Sequence, residues 1–231
     1  FNAEWHFDDY HTIHTNYTVH IQDLSLDEFL RVRDPGGELN RYVCFVTLAF
    51  NFYFHGLNVT GYHVGNLLIH IAAGIILFCL ILLILRLPAF KRISDQNRFL
   101  IALITGLLWV LNPVQTQAVT YIIQRLTSLA AMLYMLSLFL YIKGRVCQKG
   151  GKVFAGWGMI TLSAAVYVLA VLTKENTVTL PLYAFLVDFF FIKGKTDIPP
   201  KQVAGVTGAV ILVVLALLFI SPKLASSIAG R

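Results

Sequence analysis

Asp8 and Asp9 stand side by side in Trp5-His6-Phe7-Asp8-Asp9-Tyr10-His11, a knot of acidic, imidazole and aromatic side chains in a chain that is otherwise largely apolar. A carboxylate at a membrane surface can take a proton from an acceptor hydroxyl as general base, or hold a divalent cation against a phosphate. The competing reading is a solvated loop with a helix-capping aspartate. His6, His11, His14 and His20 crowd the same stretch. Their spacing matches no zinc pattern, so no metal ligand is assigned.

Three further groups carry polar chemistry. Asn112-Pro113 interrupts an apolar run, and Gln117, Tyr121 and Gln124 follow at spacings that share one helical face, with Arg125 next. Amides beside a guanidinium suit sugar hydroxyls and phosphate; the competing role is an interfacial helix with Arg125 on lipid phosphates. Lys174 and Glu175 occupy a tight turn between two apolar runs. A cation there could stabilise charge developing on a departing phosphate, or pair with the carboxylate to order the turn. His63, Asn66, His70 and Gly74 share one face of an apolar helix. His63, nearest the outer end, is a candidate pocket wall, and interhelical hydrogen bonding is the competing role for the stripe.

The elements that must position these groups are membrane helices. Of 231 residues, 57% are hydrophobic and only 13% charged, against about 25% charged in soluble domains. The net charge of +6 is spread through short loops between apolar runs, which argues for membrane orientation and against nucleic acid as a partner. Cys44, Cys79 and Cys147 are too scattered for a disulfide framework or a zinc site. Residues 1–60 are the largest polar block, an outer loop with short interfacial helices: Ser25-Leu26-Asp27-Glu28 has capping-box spacing, Asp34-Pro35-Gly36-Gly37 is a turn, and 41–54 suits a helix lying in the interface. Residues 61–231 form a helical bundle of about six spans, near 62–85, 99–125 with its interruption, 126–142, 153–172, 177–192 and 203–220.

Eleven Lys and Arg fall at 86–98, 143–152 and 193–201, which share a side if the spans alternate. The positive-inside rule makes that side cytoplasmic. Asp8-Asp9, residues 112–125 and Lys174-Glu175 then converge on the opposite, periplasmic or lumenal, face.

The runs Phe7-Asp8-Asp9-Tyr10, Arg41 to His63, Asn66 to His70, Asn112 to Ile122, Gln124-Arg125 and Leu172-Thr173-Lys174-Glu175, in that order, resemble the membrane part of the transmembrane and tetratricopeptide-repeat (TMTC-like) proteins in their bacterial form. These are similar to the protein O-mannosyltransferases of the GT-C glycosyltransferase superfamily. The resemblance covers nearly the whole chain; at Asn112, Gln117 and Gln124 eukaryotic members tend to have His, Glu and Gly instead. It implies an all-α, polytopic GT-C bundle in which Asp8 or Asp9 is catalytic, Arg125 and Lys174 stand on the phosphate side, and His63 and Gln117 line the pocket. It also implies a polyprenyl-phosphate sugar donor, with mannose as the sugar, a protein or glycan acceptor, and a bacterial inner membrane in preference to the endoplasmic reticulum. No cofactor follows from it, although a divalent metal ion is compatible. The start without Met and the stop after an apolar run predict a piece of a longer protein, with a preceding span, later spans and the repeats lying elsewhere. The alternative function is a non-catalytic multi-pass scaffold or partner-binding subunit. A lipid-linked sugar transporter is a third, disfavoured by polar clusters that gather on one face instead of lining a path.

Overall fold

The computed structural model describes residues 5–37 and 41–193. The last expected span, 203–220, and the basic residues Lys195 and Lys201 lie outside them.

The fold is all-α, and the described residues contain no strand. The first 60 residues contribute α1 (Leu26–Arg31) and α2 (Tyr42–His55). Ser25 caps α1 as its spacing predicts, its Oγ accepting from the Glu28 amide at 3.3 Å. The turn after it closes through the Gly37 amide and the Asp34 carbonyl at 2.7 Å. α2 buries Cys44, Phe45, Leu48 and Ala49 while Phe50, Tyr53 and Phe54 stay exposed. Its Val43 amide, orphaned at a helix start, donates to the orphaned Leu172 carbonyl at the end of another helix, 3.1 Å away.

The bundle follows. α3 (Val59–Leu85) has 27 residues, about 40 Å at 1.5 Å each and more than a hydrocarbon core of about 30 Å. α4 (Asp95–Val110) starts at an N-capping Ser94 and is too short to cross alone. It continues, across the Asn112-Pro113 break and a 50° bend, into the short α5 (Thr116–Thr120). α6 (Arg125–Lys149) and α7 (Val153–Val171) form an antiparallel hairpin. Gly144 and Gly156 set its closest approach: a Cβ on either would lie within 2.8 Å of the other's carbonyl oxygen. Deeper in, Ser137 and Ser163 each donate to the other's backbone carbonyl, at 2.8 and 2.7 Å. α8 (Leu180–Val187) enters through a 3-10 turn at Glu175–Thr179 and leaves through a π turn at Asp188–Lys193. Four helices are long and apolar enough to cross a membrane, and a fifth crossing is formed if the bent α4–α5 pair counts as one span. This is a multi-pass membrane protein.

Two apolar clusters mark the two ends. One joins Leu80, Leu87, Leu138, Ile142, Leu180 and Ile192, beside the basic stretches at 86–98 and 143–152. There the Arg145 Nε donates to the Asp188 carboxylate at 2.8 Å. The other joins Ile13, Val19, Ile21 and Val32 from the first loop, four side chains of α2, Tyr62, Ile122, Leu129, Val166 and Ala170. The first loop and the bundle therefore share one core, which takes the loop's apolar residues and the buried face of α2 out of solvent.

Candidate functional site

The site is built on a break. Between α5 and α6, Tyr121 is extended (φ −102°, ψ 109°) and Ile122–Gln124 form a single 3-10 turn. Within the turn the Tyr121 and Ile122 carbonyls keep bonds from the Gln124 and Arg125 amides, but the Ile122 and Ile123 amides lose the partners a continuous helix would give them and must find others inside the bundle. The polar stripe of α3 takes the carbonyls. His63 Nδ1 donates to the Val119 carbonyl at 3.1 Å. Asn66 Nδ2 donates to the Tyr121 and Ile122 carbonyls at 3.4 and 3.2 Å. His70 Nε2 donates to the Val110 carbonyl, the last of α4, at 3.1 Å.

The amides at the break belong to Asp9. Its carboxylate is fully buried and accepts from the Ile123 amide at 2.8 Å and the Ile122 amide at 3.4 Å. A third contact, from the His6 amide at 3.4 Å, closes its own turn. Burial pushes the Asp9 carboxyl above its ordinary 3.8, against the opposing pull of those three amides and of His6. Asp8 turns the other way. It is exposed, and its Oδ2 accepts from the Tyr121 phenol at 2.9 Å. Desolvation, followed by the hydrogen bond to Asp8, raises the Tyr121 phenol, so it remains a donor across the ordinary pH range.

A second polar chain lies on the same end. Lys174 Nζ donates to Thr127 Oγ1 at 2.8 Å, and Thr127 Oγ1 donates to Gln124 Oε1 at 2.9 Å. An ammonium group has three protons, so two of those on Lys174 remain for an anion. Glu175 is exposed beside it, and so is Gln117 on α5.

The structure thus joins Asp8 to Tyr121 and Lys174 to Gln124, and it places three expectations differently. Arg125 does not face a phosphate: only 1% of it is exposed, and its guanidinium donates to Asn66 Oδ1 (2.7 Å), the Tyr62 carbonyl (2.9 Å), the Thr47 carbonyl (3.1 Å) and Asn51 Oδ1. It ties α2, α3 and α6 together, because the first-loop core closes over it. His63 is not a pocket wall, since it is 2% exposed and turned to Val119. Gln117, Tyr121 and Gln124 do not share a helical face, because the extended Tyr121 ends the helix between them. Sequence reasoning missed Thr127, the link from Lys174 to Gln124, and Asn51, which cradles Arg125 with Thr47. Asn51, a single amide side chain on the apolar α2, was the one visible signal, since Thr47 contributes only its backbone carbonyl. Among the described residues no three His, Cys, Asp or Glu side chains converge as a metal site. Asp8, a lone accessible carboxylate, does not make one.

No family model and no solved structure matches the chain. Among curated proteins, protein O-mannosyl-transferase TMTC1 of Homo sapiens is 29% identical over 162 residues, which is 68% of this chain and 17% of that protein. Protein O-mannosyl-transferase TMTC2 of Homo sapiens is 29% identical over 150 residues, 65% and 16% respectively. Protein O-mannosyl-transferase Tmtc3 of Drosophila melanogaster is 24% identical over 159 residues, 64% and 17%. The chain spans about a sixth of the length of these relatives. Over that sixth, it is similar to the protein O-mannosyl-transferases of the TMTC group.

Proposed function

We propose that this chain carries part of the active site of a GT-C-type membrane glycosyltransferase. It moves a sugar, mannose by analogy with the named activity of the relatives, from a polyprenyl phosphate to a hydroxyl of a protein or glycan at the outer face. That face is periplasmic in a bacterial inner membrane, the location the sequence resemblance favours, or lumenal in an endoplasmic reticulum, which suits the animal relatives. The residues before 61 then form the outer loop and those after it the spanning bundle.

One observation carries the reading: of the two adjacent carboxylates, one is exposed and oriented by a phenol, at the end of the bundle that also carries an accessible ammonium group. In the reaction Asp8 takes the proton of the acceptor hydroxyl while the acceptor oxygen attacks the anomeric carbon. The bond from that carbon to the phosphate oxygen breaks, and its electron pair leaves on the polyprenyl phosphate. Lys174 stabilises that growing charge, with Gln124 and Thr127 holding the ammonium group in place and Gln117 and Glu175 lining the exposed side. A single displacement inverts the anomeric centre and needs no covalent enzyme intermediate. No step is routed through a metal.

The test is Asp8→Asn in the intact protein, assayed with a synthetic polyprenyl-phosphate mannose and a serine- and threonine-containing peptide. Transfer falls at least about 100-fold, the usual reach of general-base catalysis, with an unchanged unfolding temperature because the side chain is exposed. Full transfer by Asp8→Asn overturns the assignment. Mass spectrometry of co-purified lipid supplies the second check, and a polyprenyl phosphate is the species expected.

A further inference from the structure

We propose that Asp9 is the positioning residue of this site: its enclosed carboxylate docks the first loop on the Ile122 and Ile123 amides, and so sets the adjacent Asp8 against the Tyr121 phenol. The proposal rests on the glycosyltransferase reading above and deepens it by giving the two aspartates different tasks.

Three observations carry it. First, Asp9 has no exposed surface, so an acceptor hydroxyl cannot reach it without the loop coming away. Second, its partners are the Ile122 and Ile123 amides released by the break, while Asn66 donates to the Tyr121 and Ile122 carbonyls. Asp9 is the only side chain among the described residues that is shown accepting from those amides. Third, Asp8 and Asp9 grip the same tripeptide, 121–123, more than 110 positions away in sequence. The Asp9 turn, closed by its own amide on the His6 carbonyl at 2.7 Å, makes the two grips one rigid unit. Moving Asp9 off its amides moves Asp8 relative to Tyr121.

A residue that only stabilises the fold would lower activity independently of what Tyr121 does. A positioning residue would not, because the Tyr121 contact is what it delivers. The experiment is therefore a double-mutant cycle in the intact protein, with Asp9→Asn, Tyr121→Phe and the pair, using the same polyprenyl-phosphate mannose and peptide. Asp9→Asn is expected to lower kcat about 10- to 100-fold with little change in the donor KM. Adding Tyr121→Phe to it should cost less than twofold more, although Tyr121→Phe alone lowers kcat severalfold. If Asp9→Asn lowers the unfolding temperature, Asp9→Glu, which keeps the charge and displaces it by one methylene, carries the same cycle. Losses that multiply overturn the proposal, as does an unchanged kcat in both Asp9 variants. Activity retained by Asp8→Asn defeats the underlying reading instead, whereas an inactive Asp8→Asn with a multiplicative cycle defeats only the positioning role.

Discussion

Phe7 holds a φ of +32°, a left-handed conformation costly to any residue with a Cβ, while its ring is 93% exposed and contributes nothing to the core. The turn it occupies is what points Asp8 outward and Asp9 inward. Phe7→Gly removes about 1–2 kcal/mol of strain and adds roughly 0.5–1 kcal/mol of chain entropy to the unfolded state. The variant should be about 0–1.5 kcal/mol more stable in thermal unfolding, whereas a fall in stability would show that the ring packs. Asp9 gives a pH-dependent signature of its own. Its folded-state pKa lies above its unfolded value of 3.8 because the carboxylate is buried, so its contribution to stability is largest below the unfolded value and declines as pH rises through the folded one. The unfolding temperature of the wild type, relative to Asp9→Asn, should thus move in the wild type's favour as pH falls from 7 toward 4. A shift in the opposite sense would mean that the amides dominate burial.

At the scale of elements, the junction of α2, α3 and α6 is fastened by one buried guanidinium. From α6, Arg125 meets four acceptors on two other helices and no carboxylate, so the geometry of its fork matters more than its charge. Arg125→Lys leaves acceptors unmet at about 1–3 kcal/mol each, and an overall loss of about 2 kcal/mol or more is expected in detergent unfolding. Gly65 tests the same joint from the other side. A Cβ there would stand 2.7 Å from Arg125 Nη2 and 3.0 Å from Asn51 Oδ1, both pinned by hydrogen bonds, so Gly65→Ala should cost about 1–3 kcal/mol. If it proves neutral, the guanidinium has room to move. These contacts also explain what the sequence could and could not reveal. The helix start at Ser25, the Asn112-Pro113 interruption and the apolar runs are local signals, and they place the elements well. The polar stripe of α3 was legible as a stripe, but the partners of His63 and Asn66 are backbone carbonyls beside a break at Tyr121, where no Gly or Pro stands, and only His70 meets the Asn112-Pro113 interruption, through the Val110 carbonyl. Arg125 and His63 read as binding groups because side-chain type carries no information about enclosure. Only the folding of the first loop and α2 over that end decides it.

At the scale of the whole molecule the decisive property is sidedness. Asp8, Gln117, Tyr121 and Lys174 gather at the end closed by the first loop, while the Lys and Arg of 86–98 and 143–152 surround the other end. Among the described residues the polar groups between the ends do not form a path: Ser137 and Ser163 are spent on each other, and His70 is turned to the end of α4. A transporter needs polar groups that change partners along the bilayer normal, whereas a transferase needs them on one face. Single cysteines separate the two. With Cys44, Cys79 and Cys147 replaced by serine, cysteines at the exposed positions His11, Gln117 and Glu175 should react with a membrane-impermeant maleimide from one side of intact vesicles. Cysteines at Lys91 and Lys152, exposed at the basic end, should react only once the membrane is opened. Donor lipid added during labelling should slow the reaction at position 117 and leave 91 and 152 untouched. Labelling of 117 and 91 from the same side would remove the one-faced site, and with it the ground for preferring transfer at a surface over passage through the membrane.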